Sequence, residues 1–373
     1  MNESNIRRFL KPSINWLAIF IPIAFLMGYV PALHNKLWLF VTACLAMVVC
    51  SAWIANSTDS LADVVGPTWG GMMNAAFGNL PELIFGLIAV SKGLGDLAKA
   101  AWVGSVIGNV LTVIGGAMLV AGLKYGTVKF PAKPAIDSCN NLILAVLGMF
   151  LPSIYIGALI LTNKSESSAN YTEQISLSVA ALLLLMYVAS LIFTFTRSRS
   201  EAARHPVAKQ AGEAAPKLSP GTLAAMGVLA LSSVLISFLS DFVTDSVDTV
   251  KSTFGLTDLF IGIVVIGTIG NVSAIWSAIQ AALKNKMELA YEIGMSAGTQ
   301  IILLVVPVLV FASRLFGHPV DLHFSNAELA ALFGGAVLVS RTSNVGETDW
   351  LSGLQLLIMF ALIGALFFFL PGA

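Results

Sequence analysis

Glu82 stands in an apolar stretch three residues after Asn79, in the run Gly78-Asn79-Leu80-Pro81-Glu82, with Phe77, Leu83, Ile84 and Phe85 around it. On a helix that spacing places amide and carboxylate on one face, and Asn74 falls roughly a turn earlier. If the stretch lies in lipid, an ionised carboxylate there costs about 2.5–3.5 kcal/mol on insertion scales. It must then be protonated, paired or bound to a cation. Apolar surroundings favour the protonated form and an arriving cation favours the ionised form, so one side chain can hold a proton and a metal ion in turn but not together. Gly78 weakens the helix and Pro81 removes a backbone donor, which leaves carbonyl oxygens free to coordinate a cation in a water-lined cavity.

A second copy of the pattern follows later in the chain. The first copy continues with Asp96, Gly104-Ser105 and Asn109; the second has Gly270-Asn271-Val272-Ser273-Ala274, Glu288, Ser296-Ala297 and Gln300. Asn79 to Asp96 is 17 residues, as is Asn271 to Glu288, and Asn79 to Asn109 is 30 against 29 for Asn271 to Gln300. Asn79, Glu82, Ser105, Asn109, Asn271, Ser273 and Gln300 are the candidate cation ligands, with Glu82, Asn79 and Asn271 as direct metal contacts. Neutral amide and hydroxyl oxygens beside a single carboxylate suit calcium, which takes roughly six to eight oxygens in a flexible shell. Thiolates and imidazoles, which zinc or copper would want, are missing from both copies. Glu82 and Glu328 are the candidate proton-coupling groups.

Each residue also has a plainer reading. The asparagines and Gln300 could join helices by hydrogen bonds, and Glu328, at the start of a helix, also suits the helix dipole. Asp96 and Glu288 fall near Lys92, Lys99, Lys284 and Lys286 at membrane edges, and Asp241, Asp245 and Asp248 read as a solvated outer loop. Gly104, Gly108, Gly115 and Gly116 read as sites of close helix packing. Cys44, Cys50 and Cys139 read as packing residues, and all four histidines fall in loops.

The elements that must position these groups follow from composition. With 57% apolar and 11% charged residues among 373, and a mean hydropathy of +0.86, the chain has too little polar surface to coat a water-soluble globule. Segments long enough to cross about 30 Å of hydrocarbon fall at 13–33, 37–56, 68–91, 98–123, 138–161, 173–196, 219–240, 255–283, 288–313, 325–341 and 351–371. The fold class is therefore an all-α integral membrane protein of about eleven transmembrane helices. The first stretch is too long for a signal peptide core and reads as a span. Residues 1–36 form an N-terminal segment with that helix, 37–196 the first five-helix repeat, 197–218 a polar cytoplasmic linker and 219–373 the second repeat. Five is odd, so the two repeats must be inverted.

With a cytoplasmic N-terminus, basic residues divide 14 inside, Arg7, Arg8 and Lys11 among them, to 6 outside, as the positive-inside bias requires. The zero formal net charge points to no nucleic-acid partner. The expected partners are cations, protons and the lipid bilayer, with a homo-oligomer left open. The expected location is the cell inner (plasma) membrane, multi-pass.

The run from Gly66-Pro67-Thr68-Trp69 through Asn74 to Gly78-Asn79-Leu80-Pro81-Glu82-Leu83 resembles the first signature of the calcium/proton antiporters, or cation/proton exchangers, within the cation/calcium exchanger superfamily. Gly270-Asn271 with Lys284-Asn285-Lys286-Met287-Glu288-Leu289-Ala290 resembles the second, and Gly346-Glu347-Thr348-Asp349-Trp350-Leu351 matches a segment before the last helix. The likeness covers about residues 57 to 373. It implies eleven spans in two inverted repeats, a cation site at the paired Gly-Asn signatures with Asn79, Glu82, Asn109, Asn271 and Gln300, and proton-driven removal of calcium from the cytosol.

This sequence departs from that pattern in the second signature. Ala274 and Ile275 stand where the resemblance leads one to expect an acidic residue and a histidine, Gly267 replaces a proline, and Ser296-Ala297-Gly298 replaces a Gly-Ser-Ser run. Three readings follow: a calcium/proton exchanger, an exchanger of sodium or potassium, or a transport-deficient relative that binds or regulates. An enzyme is not expected, because no nucleophile with a base, phosphate loop or metal triad is present. No cofactor is expected; the expected transported ion is Ca²⁺.

Overall fold

The computed structural model describes residues 14–65, 70, 73, 77–161, 168–204, 220–343 and 346–370. These form eleven helical segments in the order read from the sequence: α1 (Ile14–Tyr29, opening with a 3₁₀ turn), α2 (Lys36–Val65), α3 (Leu80–Ser91), α4 (Gly95–Tyr125), α5 (Ala132–Leu161), α6 (Ser168–Arg204), α7 (Pro220–Phe254), α8 (Asp258–Leu283), α9 (Met287–Leu315), α10 (Asn326–Ser343) and α11 (Trp350–Phe369). Eight are long and apolar enough to cross a membrane, and α1 and α3 are shorter apolar helices. A two-residue antiparallel ladder, β1 (Val128–Lys129) with β2 (Glu347–Thr348), joins the turns before α5 and α11. Asn74 and most of the first signature before Phe77 lie outside the described residues, as do Arg7, Arg8, Lys11 and His205.

Several helices overrun their expected ends. The long helix α7 continues past residue 240 to Phe254, so Asp241, Asp245 and Asp248 lie on a helix and not in a loop. Charge pairs make that overhang soluble: Lys92 binds Asp241 and Asp245, each at 2.6 Å, and Lys251 pairs with Asp248 and Asp258. Likewise α6 runs helical to Arg204, so the linker begins later than residue 197; residues 205–219 lie outside the described part.

Packing repeats across the two halves. The second half of α4 rests on α11, and the second half of α9 rests on α6; the first half of α9 meets α5, and the first half of α4 meets α10. Helices α2 and α7, at equivalent places in the halves, pack along each other. At the centre α4 crosses α8 with backbones nearly in contact. A Cβ on Gly267 would lie 2.8 Å from the Ser105 nitrogen, and one on Gly104 would press on the Ile263 backbone. Large side chains seal the surroundings: Trp102, Leu97, Ile107 and Phe85 are all buried.

Three wide π-turns interrupt the site helices: Gly108–Val113 in α4, Ile261–Ile266 in α8 and Ile301–Val305 in α9. The turn in α4 contains Asn109 and that in α9 begins immediately after Gln300, the residues paired by the internal repeat. Such turns are unusual inside α-helices and concentrate at functional sites.

Candidate cation site

Four helices meet at the repeated Gly-Asn segments. The third span is interrupted by a turn at Gly78-Asn79, after which α3 starts with Asn79 as N-cap and Pro81 in its first turn, a position where the missing N–H costs nothing. Glu82 follows in that turn. Asn79 is buried and donates from Nδ2 to Oε1 of Gln300 on α9 at 2.9 Å. Gln300 in turn donates from Nε2 to Oγ of Ser296 at 2.7 Å, toward an exposed face.

A second amide pair lies on the α4–α8 crossing. Asn109, buried, donates from Nδ2 to Oδ1 of Asn271 at 2.8 Å and to the Ser105 carbonyl at 2.9 Å. Asn271, also buried, donates to the same Ser105 carbonyl at 3.0 Å. So Ser105 contributes its backbone oxygen here. Gly108 makes room for the Asn271 amide, which a Cβ would strike.

Glu82 reaches the other half of the molecule. Its Oε1 lies 2.8 Å from where a Cβ on Gly270 would stand, and Gly270 directly precedes Asn271. Its Oε2 is buried without a hydrogen-bond partner, and so is Oδ1 of Asn109. Two acceptor oxygens, one from a carboxylate and one from an amide, are thus shut away from water at the junction of the halves with no donor to satisfy them. A proton or a cation would satisfy the carboxylate oxygen, and a cation would satisfy the amide oxygen as well. No cluster of three or more His, Cys, Asp or Glu side chains that could hold a metal occurs among the described residues, so a cation here would be held by mixed amide, carbonyl and carboxylate oxygens.

The family model for sodium/calcium exchanger protein matches residues 35–196 and 224–369, one stretch in each half. The chain belongs to the sodium/calcium exchanger family. Within this exchanger family, it is 33% identical over 367 residues to a Ca²⁺/H⁺ antiporter of Aphanothece halophytica, covering 95% of this chain and 96% of that one. It is 32% identical to the Ca²⁺/H⁺ antiporter ChaA of Bacillus subtilis, over 89% and 92% of the two chains. The solved structure of native YfkE superposes with a TM-score of 0.80 at 28% identity, covering 96% of this exchanger and all of that chain.

Other candidate residues of the exchanger fall elsewhere. Ser273 is half-buried on α8, and no hydrogen bond joins it to the amides among the described residues. Glu328, buried, accepts from the Ser325 backbone N–H at 2.8 Å and hydroxyl at 2.7 Å, while its own N–H donates to Ser325 Oγ. That is a capping box at the start of α10. Nearby, Lys99 bridges Asp96 and Asp321. Glu288 is exposed. Gly270 and Gly108 also belong to the site, and the sequence signal for each is its pairing with an adjoining asparagine.

Proposed function

We propose that the chain is a secondary active transporter exchanging calcium for protons by alternating access. What carries this reading is the buried pair of unpartnered oxygens, Glu82 Oε2 and Asn109 Oδ1, at the junction of two halves built on the same Gly-Asn motif. Glu82 holds a proton in one state and the cation in the other; Asn79, Asn109, Asn271 and Gln300, with the Ser105 carbonyl, orient the remaining oxygens. The printed names of the relatives, Ca²⁺/H⁺ antiporters, support calcium as the ion. Two five-helix halves of opposite orientation, rocking about the amide junction, would present the site to each side in turn. Basic residues favour a cytoplasmic N-terminus in a bacterial-type inner membrane.

The test is calcium uptake into proteoliposomes loaded at acid pH and diluted into alkaline buffer. Uptake should follow the pH step in the wild type and collapse in Glu82→Gln. Uptake by Glu82→Gln at the wild-type rate would end this reading.

A further inference from the structure

The two repeats are chemically unequal where they meet. Three residues after Asn79 the first carries Glu82; three residues after Asn271 the second carries Ala274. Gly270 and Ala274 are four residues apart in α8 and so share a face, and Gly270 is the residue against which the Glu82 carboxylate packs. Position 274 is therefore where a second carboxylate would reach toward the first, and it holds a methyl group, half-buried against the apolar core.

The helices that carry the site amides supply no second charge, and buried Glu328 on α10 is held by the Ser325 backbone N–H and hydroxyl. From Ile261 to Leu283, α8 has no Asp, Glu, His, Lys or Arg. The same holds for α4 from Ala100 to Leu123 and for α9 from Ile293 to Ser313, and Glu82 is the sole charged side chain of α3. On α2, Asp59 and Asp63 are exposed near the helix end. On α7, Asp241 and Asp245 are bound to Lys92, and Asp248 to Lys251. The remaining charges of α4 and α9 (Asp96, Lys99, Lys124, Glu288, Glu292, Arg314) fall near helix ends.

We infer that the site has a single exchangeable negative charge, so that one proton leaves for each calcium ion bound, every cycle moves one net positive charge across the membrane, and Ala274 sets this ratio. The inference rests on the reading of Glu82 as the alternating group. With a proton on Glu82 the site is neutral; when calcium displaces that proton the site carries one positive charge. Two charges then travel one way and one returns.

The decisive experiment measures, in proteoliposomes with the potential clamped by potassium and valinomycin, the calcium ratio at which net flux vanishes. At zero potential a one-for-one exchanger balances about a tenfold calcium ratio per pH unit, and each 60 mV or so shifts that ratio about tenfold. A ratio of about a hundredfold per pH unit, indifferent to potential, would overturn the inference while leaving calcium/proton exchange intact. Absence of any pH-driven calcium flux would remove both. In Ala274→Glu the ratio should rise to about a hundredfold and lose its dependence on potential. A folded, active Ala274→Glu protein that keeps the wild-type ratio would show that Ala274 is not the determinant. If the variant fails to fold, the wild-type balance point decides alone.

Discussion

Glu82 faces a glycine of the opposite repeat, and the consequences can be tested one atom at a time. In Gly270→Ala the new methyl group would lie 2.8 Å from Oε1 of Glu82. That atom belongs to a flexible side-chain end, so the carboxylate should shift and the protein should still fold. Calcium uptake should then show a raised half-saturation concentration with an unchanged melting temperature; unaltered half-saturation would contradict the contact. In Asn271→Ala, Asn109 loses one acceptor but keeps the Ser105 carbonyl. Interhelical hydrogen bonds of this kind contribute about 0.6 kcal/mol on average in a membrane protein. Stability measured by thermal unfolding in detergent should therefore fall modestly while transport falls severely; equal small losses in both would make the amide a packing group. Asn79, Asn109, Asn271 and Gln300 stand out in the sequence because they recur at matched offsets, and Glu82 because it is an acid in an apolar stretch. Ser273 is a candidate by residue type and adjacency to Asn271, and the structure leaves it half-buried on α8. Glu328 reads in the sequence as a candidate proton relay at a helix start, and Ser325 three residues before it completes a capping box.

At the scale of the helix, the crossing of α4 and α8 rests on glycines whose neighbours are backbone and cannot yield. Gly104→Val should lose folded protein outright, because its side chain would enter the Ile263 backbone. Gly116→Ala should be tolerated, since a Cβ there meets only Ile279 Cδ1 at 3.9 Å; monodispersity after extraction separates the two outcomes. Gly116 was expected to mark close packing with its neighbour Gly115, and only Gly115 does so, against Gly353 and Leu356. A different helix end is held by Asp349, the N-cap of α11, which accepts from the backbone N–H and hydroxyl of Ser352. These bonds hold its carboxyl below the usual carboxylate range. The sign follows: their stabilisation is present above the unfolded value of about 3.9 and is lost as pH falls through the lower folded value. Asp349→Ala should cost about 1 kcal/mol near neutral pH and Asp349→Asn much less, read from melting midpoints. Hydropathy located the eight helices long and apolar enough to span, since lipid demands a minimum apolar length. It could not locate the π-turns, which depend on the helix crossing, or the overhang of α7, whose charged residues look like loop until their partners are known.

Across the whole molecule, the two halves are joined through α2 and α7, the α4–α8 crossing and ion pairs at one edge. Lys92 illustrates the last: burial works to lower its pKa, yet Asp241 and Asp245 on α7 outweigh that and hold it above the ordinary lysine value. The contact ties the end of the helix bearing Glu82 to the other repeat. Orientation is open to a direct check, because the three native cysteines are buried and give little background labelling. An impermeant thiol reagent should label Lys36→Cys in intact cells and Lys284→Cys only after the cytosol is opened; the reverse would invert the topology. The inverted arrangement was readable from five spans per repeat and from the divided basic residues. The contact between Glu82 and Gly270 was not, because nothing in a linear pattern says which residues of two distant segments face each other.

The central claim is that proton and calcium exclude one another at Glu82. Calorimetric titration of purified protein with calcium, repeated in buffers of different ionisation enthalpy, counts protons released on binding. The wild type should release a proton as calcium binds, and Glu82→Gln should release none. Calcium binding by the wild type without proton release, or equal release by Glu82→Gln, would contradict the account.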